Sequence, residues 1–497
     1  MDERLRALNR FGLGARVGEA PGLPTARRWL LDQLDGADAA LAERPPGMDV
    51  PGEEEGAAAV AALLEALRSR DREEVRTARR AAQEVARREV EAALELRIRT
   101  ERPFVERLVA FWSNHLCVSM AGKPFLAPLA GLYERQAIRP HVLGRFEEMV
   151  LASARHPAML VYLDNVRSVG PGSPAAAFVG RRSDREPGLN ENYARELLEL
   201  HTLGVDGGYG QDDVEELARL LTGWTVAGLG GPGDLAARAE ARRGAGARRR
   251  PGGVGRRRPG GPGARRGRGS GRRSGPAPER GFAFQPLLHE PGEKRILGTV
   301  YGEGREEGER AIRDLCRHPA TARFVAGKLV RHFVADEPPA RAVDAVATTF
   351  RETGGDLRAV AVRLVALEEA WDPSLRKFRT PQDWLVAVLR AVHARELPDP
   401  APGILRQLRH TPWAPPAPAG YGDAARDWAD PDSLMNRAEL ARSVADRLAG
   451  AEVDPRRLLE VVEVQPGDPL PALLSDSGID PAERLALALG GPAFQWR

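Results

Sequence analysis

Residues 190–204, Asn-Glu-Asn-Tyr-Ala-Arg-Glu-Leu-Leu-Glu-Leu-His-Thr-Leu-Gly, decide how the chain is read. On a helical projection Glu191, Asn192, Arg195, Glu196 and Glu199 share one side, while Tyr193, Leu197, Leu200 and His201 share the other. A helix with a dense polar face and an apolar back is thereby predicted. Two readings of the polar face compete. Glu191, Arg195 and Glu199 are spaced as an exposed i,i+4 ladder, each pair contributing about 0.2–0.5 kcal/mol. Alternatively, Asn192, Glu196 and Glu199 lie close enough in projection for their oxygens to converge on a hard cation or a polar ligand. Leu203 and Gly204 close the helix, with Gly204 as a left-handed cap, and His201 falls in the last turn, where a positive charge suits the dipole.

The same periodicity extends outward in both directions, and alternating strand patterns are scarce, so the fold class read from the sequence is all-α. Residues 57–100 keep Val75, Ala78, Ala82, Val85, Val90 and Leu94 at three-to-four spacing inside a highly charged surface, the pattern of a long helical hairpin arm. A helix is predicted from Thr100 with Pro103 in its first turn, where a missing N–H is harmless. His156-Pro157-Ala158 and His318-Pro319-Ala320 each open an apolar-periodic helix, which points to capping and not to a duplicated active site.

From 229 to 280 the chain turns Gly, Arg and Pro-rich and cannot bury enough apolar area to offset chain entropy. The predicted organisation is therefore one large multi-helix domain, 1–228 and 281–497, interrupted by a disordered Arg/Gly-rich insert at 229–280. Residues 241–275 carry 13 Arg and no acid, so the remainder is net acidic against a total of +3. The high isoelectric point reports the insert and does not imply a globally basic, nucleic-acid-binding protein. Weak polyanion binding is an expectation for the insert alone, and its lack of aromatics argues against base stacking.

The blocks Leu8–Arg16, Glu101–Ser119, His156–Asn165, Asn190–Val226, His289–Gly298, His318–Asp336, Gly355–Trp371 and the ending GPAFQWR together resemble the mostly bacterial "domain of unknown function 1800" family, in the same order and over nearly the full chain. The resemblance brings no catalytic residue. It implies a partner by association, a sulfatase-like protein encoded nearby, and export of many relatives. It also implies Thr where Gly210 stands and Trp where Tyr421 stands in the Leu408–Asp423 segment. As written, the N-terminus lacks a signal-peptide pattern and no window approaches a membrane span, so the expectation is a soluble, cytoplasmic protein, with export if the start is mis-assigned.

Several chemistries are set aside, because G-x-S-x-G, GxxxxGK[ST], H-E-x-x-H and EF-hand spacings are lacking. Cys117 and Cys316 have no metal-ligand spacing and read as buried thiols. His115 recurs with Phe104, Leu108 and Phe111 on a core stripe, where it is a hydrogen-bonded core residue or a ligand or base. Asn114 beside it is a candidate for orienting a ligand. Asp164 and Asn165 end the helix HPAMLVYLDN; Asn165 reads as a cap, while Asp164 pairs with an Arg or faces a site. His289, Glu290, Glu293 and Lys294 read as a solvated turn.

Two functions follow. The first is a helical scaffold or accessory protein that meets a partner through the Asn190–Glu199 face. The alternative is a hydrolytic enzyme with a carboxylate site and a divalent metal as candidate cofactor. Its candidate catalytic residues are His115, Asp164, Glu196 and Glu199; its metal ligands are His115, Glu196 and Glu199; and its ligand-binding residues are Asn114, Asn190, Asn192 and Arg195. An enzyme requires these side chains to share one concave pocket.

Overall fold

The computed structural model describes residues 2–42, 44, 48–179, 188–228, 281–394, 397, 401–448 and 454–497. The architecture is all-α, and the helices that build or support the site are numbered here in chain order. α1 (Glu53–Ser69) and α2 (Arg72–Arg99) pack on one another as the expected arm. Arg70, in a left-handed turn at φ 61°, separates them, and the Asp71 carboxylate accepts from the Glu73 and Glu74 amides at 2.8 and 3.0 Å, which starts α2. Leu63, Ala66 and Ala78 form a small apolar seam between the two helices.

α3 (Pro103–His115) begins at its proline, three residues later than predicted. α4 (Phe146–Arg155) and α5 (Pro157–Tyr162) follow, then α6 (Asn192–Glu196) and α7 (Gln211–Leu220). α6 winds directly into a π-turn at Leu197–His201, and Gly204 closes it at φ 83° as expected. β1 (Trp224–Val226) pairs antiparallel with β2 (Phe282–Phe284), and β3 (Lys294–Ile296) with β4 (Thr299–Tyr301). The insert expected at 229–280 lies outside the described residues, but the strands that flank it are hydrogen-bonded to each other. α8 (Arg305–Arg317), α9 (Pro319–Phe333), α10 (Ala340–Glu352), α11 (Leu357–Ala366), α12 (Pro381–Ala391), α13 (Pro431–Leu448) and α14 (Pro481–Gly490) complete the frame.

One apolar core draws on residues from both sides of 229–280. Phe11 lies 5.6 Å from Phe104, 5.7 Å from Phe333 and 5.4 Å from Trp371 by ring centroids. This aromatic knot fixes α3 beside α9. The two His-Pro-Ala openings are caps: the imidazoles of His156 and His318 accept from the amides of Ala158 and Ala320 at 3.1 and 3.2 Å. Cys117 and Cys316 are buried free thiols. Among the described residues no helix is long and apolar enough to cross a membrane.

Three local readings are corrected by tertiary packing. His201 is buried, and burial pushes its imidazole down to about 3, so it is neutral and contributes no charge to the helix end. Asn165 is not a cap: its side chain is buried and donates to the carbonyls of Leu221 and Trp224 at 3.2 and 2.9 Å, fastening α5 to the first ribbon. The His289–Lys294 segment is a solvated turn only at its tip: Pro291, Gly292 and Glu293 are exposed, whereas its two ends, His289 and Lys294, are buried. Its His289 is buried with Nε2 accepting from Gly304 N at 3.0 Å, and Glu290 accepts from Gly172 N at 2.7 Å.

Candidate functional site

α3 and α9 face one another across a cavity of about 480 Å³, closed by the start of α12 and by residues 410–427. On α9, Phe324, Lys328, Arg331 and His332 recur at i, i+4, i+7 and i+8, a single stripe; on α3, Arg107, Phe111, Asn114 and His115 do the same. The polar residues interrupt otherwise apolar faces and line the space where the helices meet, with Arg107 and His115 buried, Asn114, Lys328 and His332 partly buried and Arg331 exposed.

The loop wall is held by Asn114. Its side-chain amide donates to Tyr421 O at 2.9 Å and accepts from Tyr421 N at 2.7 Å. Gly420 approaches so closely, at φ 83°, that a Cβ there would stand 2.4 Å from Asn114 O. Asn114 thus anchors the loop while itself lining the cavity. Tyr421 donates its hydroxyl to Thr411 O at 2.7 Å and packs 4.3 Å from His410, which stacks on Trp428 at 4.6 Å.

Beneath this lies a charged floor. Arg107 pairs with Asp383 at 3.1 Å, and Arg497 approaches the same carboxylate at 3.6 Å. Arg497 is placed by strand-like pairing with Lys377, with N···O distances of 3.0 and 2.8 Å. Burial alone would push Asp383 up; the Arg107 and Arg497 guanidiniums outweigh it and hold the carboxyl far below its ordinary range.

His332 Nδ1 lies 2.9 Å from Asp423 Oδ2. Burial pushes the imidazole down against the pull of Asp423, so the ring is neutral and Nδ1–H is the donor. Its Nε2 lone pair then has no hydrogen-bond partner among the described residues. His115 is similar. Burial, followed by the nearby Lys328, holds it well below the ordinary value; Nε2–H donates to His201 O at 3.2 Å, and Nδ1 is left as an unpartnered acceptor.

Lys328 differs from every other lysine. The chain has four. Lys123 pairs with Asp164 at 2.8 Å; Lys294 donates to Gly292 O at 2.6 Å and to Glu290 O; Lys377 is held by Asp336 and Asp423. Lys328, partly buried, makes no hydrogen bond or ion pair among the described residues and sits 5.7 Å from the Phe324 ring centre. Burial pushes its amine down to about 8, with Cys117 and Asp423 opposing and Arg331 reinforcing. The cavity is therefore lined by Lys328, by two imidazole rings held neutral and by carboxylates that stay charged. Arg426 and Arg331 stand in the same lining.

Of the candidate catalytic, metal-ligating and ligand-binding residues read from the sequence, His115 and Asn114 line this cavity. Asp164 pairs with Lys123 first, with Arg167 at a looser 3.9 Å, so the Arg partner expected for it is instead mainly a lysine. Asn190 and Asn192 donate to the backbone carbonyls of Asp164 and Leu163 at 3.4 and 3.3 Å. Arg195 is spent on Glu191 at 3.1 Å, Gln211 at 2.8 Å and Glu199 at 3.5 Å. Glu196 is half-buried and pushed upward by burial and by Glu199; its charge reaches Cys117 and Tyr162 without joining the cavity lining. Among the described residues no three His, Cys, Asp or Glu side chains are grouped to hold a metal ion. Sequence reading missed Arg107, Lys328, His332, Asp383 and Asp423. The available signal was the polar stripe on α9.

Fold and site define a helical protein with a charged interior cleft between two facing helices. The family model described as "Protein of unknown function (DUF1800)" matches residues 6–496, and the chain belongs to that family. No curated protein and no solved structure matches it.

Proposed function

We propose that the cleft between α3 and α9 binds a small organic carboxylate. The observation that carries this reading is Lys328, whose side chain lines a cavity of about 480 Å³ without a carboxylate partner among the described residues. A partly buried ammonium without a counter-charge is stabilised by neutralisation or by pairing. A ligand carboxylate supplies that pairing, and Arg331 and Arg426 add charge of the same sign. The cavity falls in the size range of small-molecule sites, about 300–1,000 Å³.

Calorimetric titration of the full chain with acetate, succinate and uncharged acetamide tests the reading. Acetate or succinate binds, acetamide does not, and Lys328→Gln weakens the binding at least about tenfold, the loss expected for one charge-assisted contact. The folded variant is no less stable than the wild type, because an unpaired cation is removed. If none of the three gives heat, the cleft reading fails. The helical scaffold that meets a partner, the sulfatase-like protein included, through Asn190–Glu199 then becomes the better proposal.

A further inference from the structure

The four lysines differ in what occupies them, and this carries chemistry beyond binding. Lys123, Lys294 and Lys377 each donate to carbonyl oxygens, and Lys123 and Lys377 also to carboxylates. An amine so engaged must break those bonds before its lone pair can attack anything. Lys328 has none to break among the described residues, and its side chain lines the cleft between α3 and α9.

We propose that Lys328 is a nucleophilic amine that condenses with an aldehyde or ketone carried by the bound ligand, which makes the substrate class a small oxo-carboxylate. The inference rests on the carboxylate-binding reading of the cleft. In the step itself the ammonium that met the incoming carboxylate gives up a proton to solvent, the neutral Nζ adds to the carbonyl carbon, and a C–N bond forms as the C=O π pair moves onto oxygen. That oxygen takes up protons and leaves as water, and the nitrogen retains one proton and the positive charge of an imine. Nothing is oxidised or reduced.

The surroundings suit this step. The titratable groups near enough to act electrostatically with the amine are His115 on α3, His201 on the π-turn, Cys117 after α3, Asp423 on the loop and Arg331 on the next turn of α9. The two imidazoles are held neutral by burial, and burial pushes the Cys117 thiol up to about 12, so neither class competes as an anion or adds fixed charge. Asp423 is already engaged by His332. With the amine lowered to about 8, its neutral fraction at pH 7 is roughly a hundredfold or more above that of an ordinary lysine. Burial lowers Lys294 as well, but its Nζ is held by the two carbonyls.

The test is reductive trapping on the full chain at pH 7 with cyanoborohydride and limiting aldehyde, using formaldehyde and, separately, glyoxylate. Peptide mapping distinguishes the four side chains and the N-terminal amine. Lys328 is expected to carry the first side-chain adduct with both probes, at least about tenfold faster than Lys123, Lys294 or Lys377. Glyoxylate should widen that preference, and acetate should suppress it. Lys328→Arg, which keeps the charge and cannot form the imine, should lose the adduct while still binding acetate. An adduct on Lys294 first, or equal labelling of all four, overturns the proposal. If acetate binding depends on Lys328 and no adduct forms there, the imine fails and the cleft reading stands. If formaldehyde selects Lys328 but glyoxylate gains nothing and acetate does not compete, the carboxylate reading fails, and with it the oxo-carboxylate substrate.

Discussion

The polar face of Asn190–Glu199 and the cleft between α3 and α9 solve opposite problems. The first concentrates charge in consecutive turns of one helix, and the charges satisfy each other: Arg195 alone contacts Glu191, Glu199 and Gln211. The second has single charges scattered through apolar helices, and none finds a partner within its own helix. Arg107 reaches Asp383 on α12, His332 reaches Asp423 on the loop, and Lys328 has no hydrogen-bond or ion-pair partner among the described residues. Charge density along a sequence therefore marks a surface that is already paired. Isolated charge on an apolar stripe marks the place where tertiary structure has a polar interior to fill.

The sharpest way to break this contrast is to remove Asp383. Its loss leaves Arg107 and Arg497, both with side chains 3% exposed or less, without their shared carboxylate. Removing one partner of a buried pair costs about 3–5 kcal/mol, because the stranded charge stays buried. Asp383→Asn should lower the urea midpoint correspondingly with an unchanged slope. A loss below about 1 kcal/mol would mean that the floor of the cleft is wet and relaxed, and the distinction between the two regions would collapse.

Sequence patterns captured what is local. The arm, the His-Pro-Ala caps and the Gly204 closure follow from spacing and capping chemistry within a few residues, and the structure has them. The stripe through Phe104, Leu108, Phe111 and His115 correctly buried His115. The cleft was hidden because its contacts are distant in the chain: Asn114 meets Tyr421 across 307 positions, and Arg497, the final residue, closes over Asp383. His201 was misread for the same reason. Its place near a helix end suggested a charge, whereas packing decides that the ring is neutral. In a chain of four lysines the one set among Phe324, Val325, Leu329 and Val330 was a visible anomaly, but periodicity could not say what faced it.

Acid sharpens the comparison next. Burial pushes His201 and His410 each down to about 3, and unfolding returns them to an ordinary value of about 6.5. Between those values the unfolded chain binds more protons than the folded one. The stability due to neutral imidazoles is therefore complete above pH 6.5 and is lost as pH falls toward 3. Each such group contributes a slope of at most about 1.4 kcal/mol per pH unit. Asp383 and Asp423, held low in the fold, extend the loss below about pH 4. Urea midpoints measured from pH 7 to 4 should fall throughout, and His410→Gln should flatten that fall. An unchanged slope in the variant would show that His410 titrates freely and that the aromatic stack around it is open.

The smallest effect belongs to the acidic helix. Arg195 and Glu199 are 3.5 Å apart with side chains 38% and 27% exposed, so solvent screens the pair. Arg195 keeps Glu191 and Gln211 when Glu199 is neutralised. Glu199→Gln should therefore cost less than about 0.5 kcal/mol. The same protein, purified without an affinity tag, gives a second reading through its metal content. Stoichiometric metal that disappears in Glu196→Gln and Glu199→Gln, or a stability loss above about 1.5 kcal/mol, would mean that these carboxylates are shared with something outside the ladder. Either result would move the chemistry from the cleft back to the helix where the charge is densest.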